Sequence, residues 1–183
     1  MAVLLAILGC AAAPLPVVEK LDGRTSVYIT HPRTPLIMSP DAHYSDSSAR
    51  EYIQIGAIEV NRMGSLEYFL WLGIWDYEHV NSDHEYPAGF ETVRFIADEE
   101  ELTLARHSWS HVEIGTSERL YKKIFDEDVD AYYQVTLEQI RMLSSATDLK
   151  LRTTSATPKE FVPWYNQERA DIDLAEFVTA VTL

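Results

Sequence analysis

The six histidines of this chain are the first candidates for metal chemistry, and the most closely spaced pair is His107 and His111. Trp109 lies between them, and the neighbouring serines do not favour a helix. In an extended strand the three side chains share one face, with the two imidazoles about 13 Å apart at about 3.3 Å per residue. One metal ion needs each ring nitrogen within about 2.1 Å. The spacing therefore predicts a polar strand face with an exposed tryptophan.

A second set of candidate metal ligands lies in the polar loop from His79 to Glu85. His79, Asp83 and His84 offer imidazole and carboxylate groups, which are ordinary ligands for divalent transition metals. Long loops on a rigid sheet often carry sites, although no spacing in this loop demands a metal. We therefore assign no metal and keep these three residues as the candidates for one.

The rest of the sequence contains no recognised catalytic or calcium-binding motif. Asp126, Asp128 and Asp130 imitate the start of a calcium loop, but Ala131 and Leu137 stand where that loop needs glycine and glutamate. A solvated, charged hairpin tip is the better interpretation. The chain has no nucleophile elbow and no glycine-rich phosphate loop. We name no catalytic residue, and a binding role is favoured over an enzymatic one.

The aromatic side chains suggest a binding surface. Most of the four Trp and ten Tyr residues are explained by core packing. Trp109 and Tyr86 instead lie among polar neighbours, where a ring can stack on a sugar or contact a protein. With His107 and His111, they are the candidate binding residues. We expect Trp109→Ala or Tyr86→Ala to leave folding intact and to weaken binding of a partner.

The elements that must position these residues are mainly strands. Residues 51–60 alternate between apolar and other positions, residues 61–64 supply turn chemistry, and residues 65–77 carry apolar residues on both faces. We therefore predict a hairpin that is buried on both sides at the centre of the sheet. Short apolar runs at 27–29 and 36–38, bounded by prolines, predict two further strands.

The second half of the chain predicts two more hairpins and two helices. Residues 92–97 pair with 102–105, and residues 119–125 pair with 129–135. Thr136 fits a helix N-cap, with Gln139 as its capping-box partner. The remaining predicted elements are a helix to about 146, a strand at 149–153 and a helix at 171–181. The expected fold is a single mainly β domain over 25–183, a two-layer β-sandwich of immunoglobulin-like or jelly-roll type with two short helices.

The N-terminus carries a targeting pattern. Residues 1–13 have no charged side chain, and 13 residues are too few to span a bilayer, which takes roughly 20. They match the apolar region of a secretory signal. The following Ile7-Leu8-Gly9-Cys10, with the only cysteine of the chain, resembles the bacterial lipobox. The resemblance implies cleavage before Cys10, a diacylglycerol thioether on its sulfur, and a lipidated tether over 10–24.

The net charge limits the classes of possible partner, and the residue after Cys10 indicates a membrane. The formal net charge is −14, which repels phosphate backbones and excludes nucleic acid as a partner. In the lipobox proteins, Ala11 rather than aspartate after the cysteine favours the outer membrane. We expect an anchored position in a bacterial cell envelope, an envelope protein or glycan as partner, and no cofactor beyond the covalent lipid.

Three functional interpretations follow from these features. The first is an envelope-anchored lipoprotein that acts as a binding or assembly module. The second is a metal-dependent envelope hydrolase that uses the His79–Glu85 loop together with His107 or His111. The third is a cytosolic β protein whose apolar N-terminus is buried. A lipid on Cys10 would agree with the first two interpretations, whereas an unmodified Cys10 would favour the third.

Overall fold

A computed structural model describes residues 15–40, 51–164 and 168–182 of the chain, without the side chains of 168–172. Cys10 and the predicted signal peptide lie outside these residues. The described strands are β1 (Val17–Leu21), β2 (Tyr28–Pro32), β3 (Leu36–Ser39), β4 (Glu51–Arg62), β5 (Ser65–Asp76), β6 (Thr92–Ala97), β7 (Glu100–Ala105), β8 (Val129–Val135), β9 (Leu149–Thr153) and β10 (Glu160–Pro163). The helices are α1 (Tyr77–Val80), α2 (Leu137–Ser145) and α3 (Glu168–Ala180).

All strand pairings are antiparallel and belong to one ten-stranded sheet. The hairpin β4–β5 is paired along twelve residues of each strand, and β8 lies on the far side of β5. The other edge of β4 is shared, because β2 pairs near its end and β3 near its start. From β3 the sheet continues through β10, β9 and β6 to β7. A bridge between Ser108 and Tyr132 connects the chain after β7 to β8.

The mainly β class is confirmed, but the sheet is a curled half-barrel and the predicted two-layer sandwich is not found. The physical reason is the shared edge of β4. Because β2 and β3 both pair with this one strand, hydrogen bonding continues from the central hairpin into the rest of the sheet. The strands therefore do not separate into two sheets that pack face to face.

The central hairpin is buried on both faces, as its sequence predicts. One face of β4 and β5 contributes Ile53, Ile55 and Leu72 to a first core, which α2 and α3 cover with Ile140 and Phe177. The opposite face contributes to a second core, whose members include Ile58, Phe69, Trp71, Ile114, Tyr121 and Tyr132. The hairpin thus carries the packing of both cores.

The second core is covered by residues 106–128, which we call the covering segment. Within it, the predicted strand at 119–125 is wrong, since these residues are irregular and β8 pairs with β5 instead. Two side chains explain the irregular path. Tyr121 donates a hydrogen bond to the Ala57 carbonyl at 2.7 Å, and Asp128 accepts from the backbone N–H of Ile124 at 3.1 Å. These bonds replace a strand ladder.

Three further elements, β1, β10 and α1, differ from the sequence prediction. The sequence assigned residues 10–24 to a tether, whereas Val17–Leu21 form β1 and pair with β2. Strand β10 and the short helix α1 were not predicted. Helix α2 begins at its predicted cap, because Thr136 accepts from the Gln139 backbone and the Gln139 side chain accepts from the Thr136 backbone.

In the described part of the chain, no helix is both long and apolar enough to cross a membrane.

Candidate functional site

A cavity of about 520 Å³, which we call the polar cleft, opens where β5 ends. Its walls come from the segment between Asp76 and Ala88 and from the turn that precedes β10, at Ser155 to Lys159. Asp76 fixes the start of the first wall, because its side chain caps α1 by accepting from the backbone N–H of Glu78 at 2.9 Å. The polar loop predicted from the sequence therefore begins as one turn of helix.

Lys159 forms ion pairs with three carboxylates beside the cleft. Its ammonium lies 2.7 Å from the Glu51 carboxylate, 3.1 Å from Asp76 and 3.5 Å from Glu78. Burial lowers the pKa of Lys159, but its hydrogen bonds to Glu51 and Asp76 outweigh that effect and leave the pKa raised. Lys159 therefore stays charged and ties the start of β4 to the end of β5. Three carboxylates against one ammonium leave the cluster with two excess negative charges.

The three carboxylates are also the one set of described metal-ligating groups whose ligand atoms lie within 4.8 Å of one another. The candidates chosen from the sequence lie nearby but do not join this set. His79 and His84 line the cleft, whereas exposed Asp83 does not. The Nδ1 atom of His79 is buried and has no hydrogen-bond partner. The cleft thus combines an imidazole with carboxylates. Lys159 would have to release one of these carboxylates before a metal could bind.

The two aromatic residues chosen from the sequence contact each other. Tyr86 and Trp109 stack with ring centroids 4.5 Å apart and an angle of 4° between the planes. The guanidinium carbon of Arg106 lies 4.3 Å from the centre of the same Trp109 ring. Trp109 is half-buried against the first core, while Tyr86 is 37% exposed and lines the polar cleft. Trp109 is therefore the support of the pair, and Tyr86 is its accessible ring.

Glu85 influences the hydroxyl group of Tyr86. A hydrogen bond to Glu85, together with partial burial, raises the pKa of Tyr86. The phenol therefore stays neutral, and the stack on Trp109 positions the ring. An aromatic ring that is held in place before binding loses little conformational entropy when a ligand arrives.

The two remaining candidates do not reach the cleft lining. His107 is exposed, and its ring lies 5.5 Å from that of Phe69 in the second core. His111 belongs to a turn, in which its carbonyl accepts from the backbone N–H of Thr116 at 3.2 Å. The polar strand face predicted over 107–111 is reduced to the single bridge at Ser108. Neither histidine lines the cleft with His79.

The acidic run before β8 differs from its prediction as a solvated tip. Asp126 is exposed, but Asp128 is 2% exposed and accepts hydrogen bonds of 2.9 Å from the Tyr52 hydroxyl. Asp130 is also buried and accepts from the indole N–H of Trp71 at 3.0 Å. Asp128 therefore ties the end of the covering segment to β4, and Asp130 ties β8 to β5.

The cluster around Lys159 was not predicted from the sequence. Asp76 carried a signal, since an aspartate after an apolar strand and before a polar stretch is a typical N-cap. Lys159 carried none, because it stands 83 residues after Asp76 and 108 residues after Glu51. Only the pairing of β3, β10 and β4 brings it to the cleft.

Comparison of the chain with protein-family models, with curated proteins and with solved structures found no match. The function is therefore inferred from the residues of the chain itself.

Proposed function

We propose that this protein is a lipoprotein anchored in a bacterial cell envelope, with the outer membrane favoured, and that it acts there as a binding module. The proposal joins two independent features. Ile7-Leu8-Gly9-Cys10 supplies the lipidation signal, and the polar cleft with Tyr86 on its lining supplies the binding site. The observation that carries the binding role is the stack of Tyr86 on Trp109.

The stacked pair has the properties of a recognition surface. Its outer ring is accessible and borders a cavity, while its inner ring packs against the first core. Aromatic residues supported in this way dominate the energetics of many protein interfaces and small-molecule sites. Core packing explains Trp109, but it does not explain why Tyr86 extends the stack towards the cleft.

The proposed anchor would keep the domain close to the membrane. Residues 11–16 separate Cys10 from the first residue of β1. Six residues span at most about 20 Å even when fully extended. A binding module held so near the bilayer would meet partners in the same membrane or in the layer next to it. Two or three acyl chains would make this anchoring stable.

The anchor is tested by the intact mass of the N-terminal peptide from protein expressed in a bacterium. We expect a peptide that begins at Cys10 and carries diacylglycerol. An unmodified chain that still begins at Met1 would contradict the anchor and favour the cytosolic alternative.

The binding role is tested by photocrosslinking in native membranes, with a benzoylphenylalanine placed at position 86 or at position 28. Tyr28 is the matched control, since it is a tyrosine of similar exposure, at 41%, that lies away from the cleft. We expect a crosslinked envelope component from position 86 only. The same products from both positions, or none from either, would contradict a binding role for the cleft.

A metal-dependent hydrolase is the second candidate, because Glu51, Asp76 and Glu78 lie within 4.8 Å of one another beside His79. Elemental analysis of protein purified without chelators tests it directly. A bound transition metal at near one equivalent would favour the hydrolase, and less than about a tenth of an equivalent would exclude this version. The ammonium of Lys159 already occupies the carboxylates, which favours the binding role.

A further inference from the structure

We propose that the ligand of the polar cleft is a neutral carbohydrate, whose ring packs on Tyr86 and whose hydroxyl groups bond the polar walls. This inference rests on the proposed binding function and names the chemical class of its ligand. It follows from three properties of the cleft, namely the ring at its edge, the chemistry of its walls and its size.

The ring supplies a flat apolar surface in a polar setting. Tyr86 is parallel to Trp109 at a centroid distance of 4.5 Å, so the stack sets the orientation of the ring. The C–H groups on one side of a pyranose form a flat apolar face that matches such a ring, and burying that face against it is favourable. The same sugar keeps its hydroxyl groups around the edge, where the cleft walls lie.

The walls carry the polar groups that a hydroxylated ligand needs. Eight of the eleven side chains that line the cleft are polar or charged, and the exceptions are Tyr86 and two alanines. The walls mix donors with acceptors: Lys159 and three hydroxyl residues stand beside Asp76 and Glu78. A sugar hydroxyl both donates and accepts, so it can pair with either kind of group.

The charges of the cleft argue against ionic ligands. An organic cation would need the carboxylates of Glu51 and Asp76, and the ammonium of Lys159 already bonds both at 2.7 and 3.1 Å. An anion such as phosphate would meet the excess negative charge of that cluster and the net charge of −14 on the whole chain. A neutral ligand with many hydroxyl groups satisfies the walls without displacing Lys159.

The size of the cleft indicates an oligosaccharide end or a disaccharide. Its volume of about 520 Å³ lies within the range of roughly 300–1,000 Å³ that is usual for small-molecule sites. The cleft is partly open to solvent, so a longer chain can extend out of it.

The test is a titration of the full chain, held in a detergent without a sugar head group, with cellobiose, maltose and N,N′-diacetylchitobiose. Binding is measured by saturation-transfer NMR and by calorimetry. We expect at least one of the three to bind with a dissociation constant of about 1 mM or tighter. Tyr86→Ala should weaken that sugar about fivefold or more, because the stacking surface is lost.

Two variants separate stacking from general damage. Tyr86→Phe keeps the ring and should keep the affinity within about twofold, whereas Tyr28→Ala removes a comparably exposed tyrosine elsewhere and should change nothing. Equal weakening by Tyr86→Ala and Tyr28→Ala would overturn the assignment to the cleft. Binding of glucosamine without binding of N-acetylglucosamine would show that charge rather than the sugar ring is recognised, which also overturns it.

The disaccharide titration can fail or succeed independently of the crosslinking and peptide-mass experiments that test the proposed function. No binding of any of the three disaccharides overturns the carbohydrate inference. If position 86 still crosslinks an envelope protein, the binding module stands and its ligand is a protein. If a disaccharide binds but Cys10 is unmodified, the carbohydrate inference stands and the envelope anchor fails.

Discussion

At the scale of single residues, buried carboxylates hold the irregular part of this protein in place. Asp22 is 6% exposed and accepts hydrogen bonds from the backbone and side chain of Ser117, at 2.6 and 2.8 Å. It also accepts from the backbone N–H groups of Arg24 and Thr25. One carboxylate therefore joins the turn between β1 and β2 to the covering segment.

Asp22 makes stability depend on pH in a defined direction. The backbone N–H of Ser117 is the main cause that holds the pKa of Asp22 well below its ordinary value. A lowered folded-state pKa gives stability that is present above the unfolded pKa of about 3.9 and is lost as the pH falls further. We expect Asp22→Asn to be less stable than wild type at pH 7, with a difference that shrinks below about pH 4. Urea denaturation at several pH values measures this, and a constant difference would contradict it.

The aromatic pair divides into a supporting residue and a contacting one, which changes an expectation from the sequence. Trp109 packs on the first core, so Trp109→Ala should lower the free energy of unfolding by about 2 kcal/mol. Tyr86→Ala removes a partly exposed ring that lies outside the cores and should cost less than about 1 kcal/mol. Urea denaturation compares the two, and equal losses would show that Tyr86 is structural. Tyr86→Ala is therefore the variant for binding experiments.

At the scale of elements, the covering segment makes an especially close contact with β4. The ring of Tyr121 lies directly over Gly56 in β4 and stacks on Trp71 with centroids 4.7 Å apart. A side chain at position 56 would overlap that ring. Glycine is needed here for space rather than for an unusual backbone angle.

Gly56→Ala tests this contact. We expect a loss of about 1–3 kcal/mol in the free energy of unfolding, because Tyr121 must move off the sheet and its bond to the Ala57 carbonyl is strained. Gly23→Ala is the matched control, since an added methyl group there meets no atom within 4 Å. Thermal and urea denaturation measure both variants. A neutral Gly56→Ala would mean that the covering segment adjusts freely.

At the scale of the whole molecule, the hairpin β4–β5 belongs to both cores. The hairpin β6–β7 contributes Val93, Phe95 and Leu104 to the first core only. A local opening that detaches β6–β7 leaves the second core intact, whereas exposing β4–β5 disrupts both. The central hairpin should therefore open only when the whole domain unfolds.

Hydrogen exchange measures this difference. We expect amides of residues 51–76 to exchange most slowly and those of 92–105 to exchange earlier, through partial opening. Mass spectrometry of peptides from the two regions gives the order. Equal protection in both hairpins would show that the domain opens only as one unit.

The sequence by itself determined the local elements. The alternation in β4, the double-sided apolar pattern of β5 and the capping box at Thr136 all predicted what the structure contains. These features depend on side-chain periodicity and on contacts within a few residues, which a sequence displays directly. The same reasoning selected Tyr86 and Trp109 because each is aromatic among polar neighbours.

Only the tertiary structure decided how these parts assemble. Curling into a half-barrel follows from β2 and β3 sharing one edge of β4, which depends on pairing between distant strands. The failed strand at 119–125 reflects hydrogen bonds of Tyr121 and Asp128 to distant residues, and these outweigh local strand preference. The polar cleft likewise depends on Lys159 meeting carboxylates from distant parts of the chain. Periodicity records which face of an element is apolar, but it does not record which elements meet.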